Sequence, residues 1–235
     1  MDSTVERIRQ YMKRRDVLDH LGWKEASDVS FLAQGEYNIN YLIQSDKGGK
    51  AVFRLNTASQ LGLENQIRYE YRSLQGLAVS GVTPEPLYID DSKDHFKEGL
   101  LIMQFLRGKP LDYEKDLEEA ARLFAKIHAL DTRPFKPFMI REESLCRARI
   151  EEGRRWLSDY EASERASKET LWIFDRLIDY CEKHVHHDTY FGKNPWWVVN
   201  NTEVNSHNFI IGEEGSYMID WEKPVISDPV QDISQ

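Results

Sequence analysis

Gly108-Lys109-Pro110 marks a boundary between two differently patterned parts of this chain. Before that break the apolar pattern consists of short runs rich in β-branched, aromatic and aliphatic residues: Val29–Leu32, Tyr41–Gln44, Ala51–Leu55, Pro86–Ile89 and Leu100–Phe105. Runs this short, bounded by turn residues such as Asp46-Lys47-Gly48-Gly49, fit strands and not helices. After the break, apolar residues recur at helical spacing over residues 117–130, 142–160 and 167–184. Two further helical patterns, 3–21 (ended by Gly22) and 63–77, flank and interrupt the strand-rich part. A mostly strand-forming part followed by a mostly helical part predicts an α+β chain of two lobes. Residues 1–106 form a small antiparallel β-sheet lobe, and residues 107–235 form a larger, mostly helical one. A cleft between two lobes is a common place for a ligand.

With 40% hydrophobic residues, the 235-residue chain can bury a substantial core. Its formal charge of −9 argues against a general nucleic-acid binder, which carries a basic footprint. Cys146 and Cys181 lie too far apart in sequence for a zinc-spacing motif and are too few for a disulfide framework, so a reducing cytoplasm is the expected location. No apolar stretch is long enough for a signal peptide or a membrane span, so no membrane partner is expected.

One segment of the helical half breaks the pattern. Asn201-Thr202-Glu203-Val204-Asn205-Ser206-His207-Asn208 leads into an apolar run, a turn at Gly212-Glu213-Glu214-Gly215, and a second run ending in Ile219-Asp220-Trp221-Glu222. Two apolar runs joined by such a turn read as a β-hairpin, which folds Asn208 back toward Asp220. A carboxylate, an amide five residues later and a second carboxylate across the hairpin suit a metal-nucleotide site. Magnesium takes hard oxygen ligands and draws only one or two from the protein. The alternative is a polar loop followed by an ordinary hairpin with exposed acids.

These residues resemble the aminoglycoside phosphotransferase and choline kinase family, whose members share the protein-kinase-like fold. The family's catalytic loop reads H-x-D-x-x-x-x-N. Here the same frame holds Asn201 in place of the histidine, Glu203 in place of the aspartate, and the final Asn208. Ile219-Asp220-Trp221 resembles the family's strand-end I-D-W, and Asp228-Pro229-Val230-Gln231-Asp232 its D-P-x-x-D. Phe124 to Leu130 resembles its L-x-x-L-H helix end. In the β-rich half, Gln34-Gly35-Glu36 stands where the family has its phosphate-covering turn.

The resemblance implies roles for particular residues. Asn208 and Asp220 would hold Mg²⁺. Arg54 would contact the nucleotide phosphates, oriented by Glu70. Met103, Gln104 and Leu106 would line the hinge beside the base, and Glu203 would act on the attacking hydroxyl. The implied activity is transfer of the γ-phosphate of ATP or GTP to a hydroxyl of a small acceptor of aminoglycoside, amino-alcohol or sugar type. A non-catalytic nucleotide-binding regulatory protein is the other function the same residues allow. Asp232 to Gln235 reads as the opening of a helix, and members of the family continue with further helices there.

Other clusters have plainer readings. His184, His186, His187 and Asp188 could bind zinc, but exposed histidines at a helix end are the commoner case. Trp196 and Trp197 are expected to pack against the hairpin. Trp156, Tyr160 and Trp172 sit at helical spacing with other apolar residues, which predicts a core face. Asp159, Glu161, Glu164, Asp175 and Asp179 either attract a cationic acceptor or form a solvated face.

Overall fold

A computed structural model describes residues 3–234 apart from Gln60, Glu98, His187, residues 189–192 and Asn194. Five strands form one antiparallel sheet: β1 (Ala26–Gln34), β2 (Asn38–Ser45), β3 (Lys50–Asn56), β4 (Pro86–Asp90) and β5 (Leu100–Gln104). Their order across the sheet is β1-β2-β3-β5-β4. Side chains alternate between the two faces, and both faces are covered. Phe53, Leu55, Leu100 and Ile102 join one core with the N-terminal helices, whereas Val52, Leu101 and Met103 join the other core, which runs into the helical lobe. Double-sided burial explains why β3 and β5 read as continuous apolar runs.

The N-terminal helical pattern divides into two helices, α1 (Ser3–Tyr11) and α2 (Arg15–Leu21), instead of the single helix expected over 3–21. At roughly 100° per residue, one straight helix would put Val17 on the opposite side from Ile8. Both are fully buried. An extended Arg14 (φ −65°, ψ 126°) resets the phase so that both reach the same core, and Gly22 closes α2 in the left-handed conformation. Helix α3 (Gln66–Leu77) crosses the other face of the sheet, and the Asn65 side chain caps it by accepting from the Arg68 N–H at 3.1 Å.

The second lobe holds α4 (Leu117–His128), α5 (Leu145–Glu161), α6 (Lys168–Lys183) and the terminal turn of helix α7 (Val230–Ile233). Two strand pairs complete it: β6 (Val198–Asn200) with β9 (Val225–Ser227), and the hairpin of β7 (Phe209–Gly212) and β8 (Gly215–Met218). No helix among the described residues is long and apolar enough to cross a membrane.

The core reading of the α5 and α6 aromatics is corrected. Trp156 and Trp172 are 61% and 63% exposed, and α6 buries no residue fully. Helical spacing collects these rings on a face, but it does not supply a neighbour to cover them. Ion pairs help join the two helices. Arg154 on α5 reaches Asp179 at 3.0 Å and Glu182 at 2.7 Å, with Asp175 farther away at 3.6 Å. Asp175 and Asp179 are therefore engaged within the helix pair. Asp188 is a helix cap, accepting the N–H groups of Cys146 and Arg147 at 3.0 Å each. His187 lies outside the described residues.

Candidate active site

The chain between β5 and α4 passes directly over the β7–β8 hairpin. Lys109 and Ile211 exchange two backbone hydrogen bonds, at 3.0 and 2.8 Å. A Cβ at Gly108 would lie 2.6 Å from the Ile211 carbonyl oxygen, so glycine is what permits this approach. Beyond Gln104 the chain leaves the ladder. The backbone groups of Phe105 and Leu106 make no backbone hydrogen bond among the described residues. A cavity of about 650 Å³ opens here, lined by Met103, Gln104 and Leu106 of the crossing, by Val52 and Arg54 of β3, and by Ile210 and Ile219 below. Strand β1 contributes Leu32 and Ala33 to this lining; Gln34, Gly35 and Glu36 are not part of it. They form the turn into β2, where the Gly35 N–H donates to the Asn38 carbonyl at 2.9 Å.

Arg54 is 5% exposed, so it is not the surface residue that a lone arginine at a strand end usually is. Its Nη1 donates to Glu70 and, at 3.1 Å, to Asp220 Oδ1. Its Nε donates to Asn40 Oδ1 at 2.9 Å, directly across the β2–β3 ladder. Burial opposes the charge, but the carboxylates of Glu70, Asp220 and Glu222 outweigh it and hold the guanidinium above its ordinary pKa. Glu70 is 1% exposed, and its Oε2 has no hydrogen-bond partner among the described residues. Burial pushes its pKa up to about 7, with Arg54 pulling the other way. Burial and the neighbouring Asp220 likewise raise Glu222, which accepts a hydrogen bond from Asn38.

The hairpin register pairs Phe209 with Met218, and the Ile219 N–H donates to the Asn208 carbonyl at 2.8 Å. Asn208 therefore lies opposite Ile219, the residue before Asp220, where the hairpin ends. The Asn208 amide N–H₂ donates to the Glu203 carbonyl, which leaves its oxygen as the remaining donor atom. Asp220 sits at φ +63°, an uncommon backbone conformation for a residue with a Cβ. Asn201 braces it, because its Nδ2 donates to the Asp220 carbonyl at 3.0 Å. Glu203 is paired with Lys223.

Asp232, 1% exposed, holds the loop from behind. Its carboxylate accepts the N–H groups of Asn201 and Thr202, both at 2.9 Å, and His128 Nε2 lies 3.2 Å from it. The D-P-x-x-D and L-x-x-L-H motifs marked these two positions, but their meeting depends on the fold. Sequence reasoning missed Asn40 and Lys223 altogether. Asn38 and Asn40, two polar residues on one face of an otherwise apolar strand, carried a readable signal. Lys223 carried none.

A sequence profile of the phosphotransferase enzyme family matches residues 28–235. Solved structures share the fold. A candidate aminoglycoside phosphotransferase of Ralstonia eutropha JMP134 superposes with a TM-score of 0.67 at 19% identity, covering 97% of this chain and 67% of that one. A thermostable mutant of aminoglycoside phosphotransferase APH(4)-Ia, in ternary complex with ADP and hygromycin B, gives 0.62 at 16% identity, covering 94% and 74%. The Plasmodium vivax ethanolamine kinase gives 0.62 at 19% identity, covering 88% of this chain and 59% of that one. On the strength of the profile match over most of its length, the chain belongs to the phosphotransferase enzyme family.

Proposed function

We propose that the protein is a small-molecule kinase that transfers the γ-phosphate of ATP or GTP to a hydroxyl of a small acceptor. The observation that carries this reading is the meeting of Glu70 and Asp220 on Arg54, a residue that lines the 650 Å³ cleft, with the Asn208 carbonyl bound to Ile219 just before Asp220. The base lies along the unpaired backbone of Phe105 and Leu106, between Val52 and the isoleucines of the hairpin. Arg54 meets the phosphates. It is held by Asn40, Glu70 and Asp220 and has Nη2 left over.

The donor set fits Mg²⁺. The Asn208 oxygen is left for a ligand, Asp220 has a second carboxylate oxygen beyond the one facing Arg54, and three carboxylates surround a single guanidinium. Asn208 and Asp220 would hold the ion. When bound, it supplies positive charge against the nucleotide phosphates. Glu203 orients the acceptor hydroxyl and takes its proton as the new P–O bond forms. Phosphoryl transfer depends mainly on such positioning and charge placement. The location is the cytoplasm, and the partners are nucleotide and acceptor, without nucleic acid.

The test pairs binding with turnover. Saturating Mg-ATP or Mg-GTP is expected to raise the melting temperature, since a ligand that binds only the folded state stabilises it. Transfer to a panel of hydroxylated amines and sugars is expected, and Glu203→Gln should lower it by roughly 10²- to 10⁴-fold. Binding without transfer supports the non-catalytic alternative, and the absence of both overturns the nucleotide reading.

A further inference from the structure

The backbone of Glu203 is clamped on both sides. Its N–H donates to Asn201 Oδ1 at 3.3 Å, and its carbonyl accepts from Asn208 Nδ2. The preceding residue is fixed as well. Thr202 lies at φ +75°, its N–H is bound by Asp232, and its hydroxyl donates to the Lys223 carbonyl at 3.0 Å. A loop tied at this many points is not free to draw back and absorb the extra methylene of a glutamate. The geometric problem passes to the side chain, whose carboxylate is half exposed on a stem with rotatable bonds.

Among the described residues, one cation meets that carboxylate. Lys223 Nζ pairs with Glu203 Oε2. Most surface lysines are mobile, and their ion pairs do little; Lys115, 70% exposed in its pair with Asp112, is of that kind. The side chain of Lys223 is only 11% exposed, so its stem is packed, and its own carbonyl is tied to Thr202. The ammonium is therefore presented from a fixed site, three residues after Asp220.

We propose that Lys223 is a positioning residue for the transfer reaction, fixing the Glu203 carboxylate where a shorter acid would need no such tether. The proposal rests on the kinase reading given above. The two carboxylate oxygens then have separate tasks: Oε2 is anchored by Lys223, and Oε1 faces the acceptor. In the step itself, the acceptor O–H gives its proton to Glu203. Its oxygen bonds to the γ-phosphorus, and the bond to the β–γ bridging oxygen breaks, releasing nucleoside diphosphate. Displacing a reacting group by about 1 Å can cost on the order of 100-fold in rate, so an untethered glutamate is expected to be slow.

The experiment compares wild type, Lys223→Met and Lys223→Arg, using Mg-ATP and the best acceptor, with water as the fallback acceptor. Lys223→Met is expected to lower kcat by about 10-fold or more while nucleotide affinity and nucleotide KM stay unchanged. Lys223→Arg, which keeps the charge, should recover most of the loss. In a Glu203→Gln background the methionine variant should have little further effect, because the carboxylate it served is gone. Retention of wild-type kcat by Lys223→Met overturns the inference, even if binding and turnover are otherwise as proposed. So does equal loss of kcat and melting temperature in both Lys223 variants, which would indicate packing alone. If no Mg-nucleotide shift in melting temperature occurs, or nucleotide binds with no turnover of any acceptor or of water, the kinase reading fails and this inference fails with it.

Discussion

Two arginines organise two regions of this molecule in opposite ways. Arg54 and Arg154 each gather carboxylates, Arg54 from Glu70 and Asp220, Arg154 from Asp175, Asp179 and Glu182. Arg54 does so with a 6% exposed side chain and a partner, Glu70, that is 1% exposed. Arg154 is 40% exposed, and its partners are more exposed still. In water the second arrangement is screened and interchangeable, whereas in the cleft Arg54 and Glu70 depend on each other because neither can turn to solvent. The same residue types thus give a fixed corner in one place and a loosely held helix pair in the other.

The contrast is sharpest for Arg54→Met. It leaves Glu70 buried without its cation, and loss of one partner from a buried pair costs about 3–5 kcal/mol. Urea unfolding should show that loss, with nucleotide binding reduced as well. Next in size is Asp232→Ala. It strands the N–H groups of Asn201 and Thr202 and should cost about 1–3 kcal/mol in the same assay. Retention of wild-type stability by either variant would remove the distinction between the two regions.

Glu70 tests the comparison through pH. Its pKa rises on folding from 4.5 to about 7, so the folded state holds a proton that the unfolded state has already released. The sign follows from linkage: between these values the folded state binds more protons, and stability falls as pH rises from about 4.5 through about 7. Melting curves over that window should show wild type losing stability relative to Glu70→Gln, in which the titration is absent. At the small end, Trp172→Ser on the exposed face of α6 should change stability by no more than about 0.5 kcal/mol. Arg154→Met should leave the unfolding midpoint unchanged at physiological salt. A large effect at either position would reveal a covering partner for the α5–α6 pair.

What could be read in advance follows the range of the forces involved. The central strands β3 and β5 were legible because burial on both faces demands unbroken apolar runs, as in Leu100 to Met103. The hairpin was legible because the turn at 212–215 is local, and its register sets Asn208 opposite Ile219. The division between α1 and α2 was not, because the phase reset at Arg14 serves a core built from the distant strands β2, β3 and β5. Nor was the exposure of Trp156 and Trp172, since periodicity describes a face without saying what lies opposite. Lys223 stands 20 residues from Glu203 in the sequence, and the β6–β9 pairing beside it, with the Thr202 hydroxyl on the Lys223 carbonyl, brings the two segments together.

The Asn201 amide that donates to the Asp220 carbonyl occupies a position where the family carries an imidazole. Imidazole changes protonation near neutrality, and with it the number of hydrogens it can offer. A carboxamide keeps the same donor through acid and base alike. The strut behind Asp220 is thus indifferent to the acidity of its surroundings.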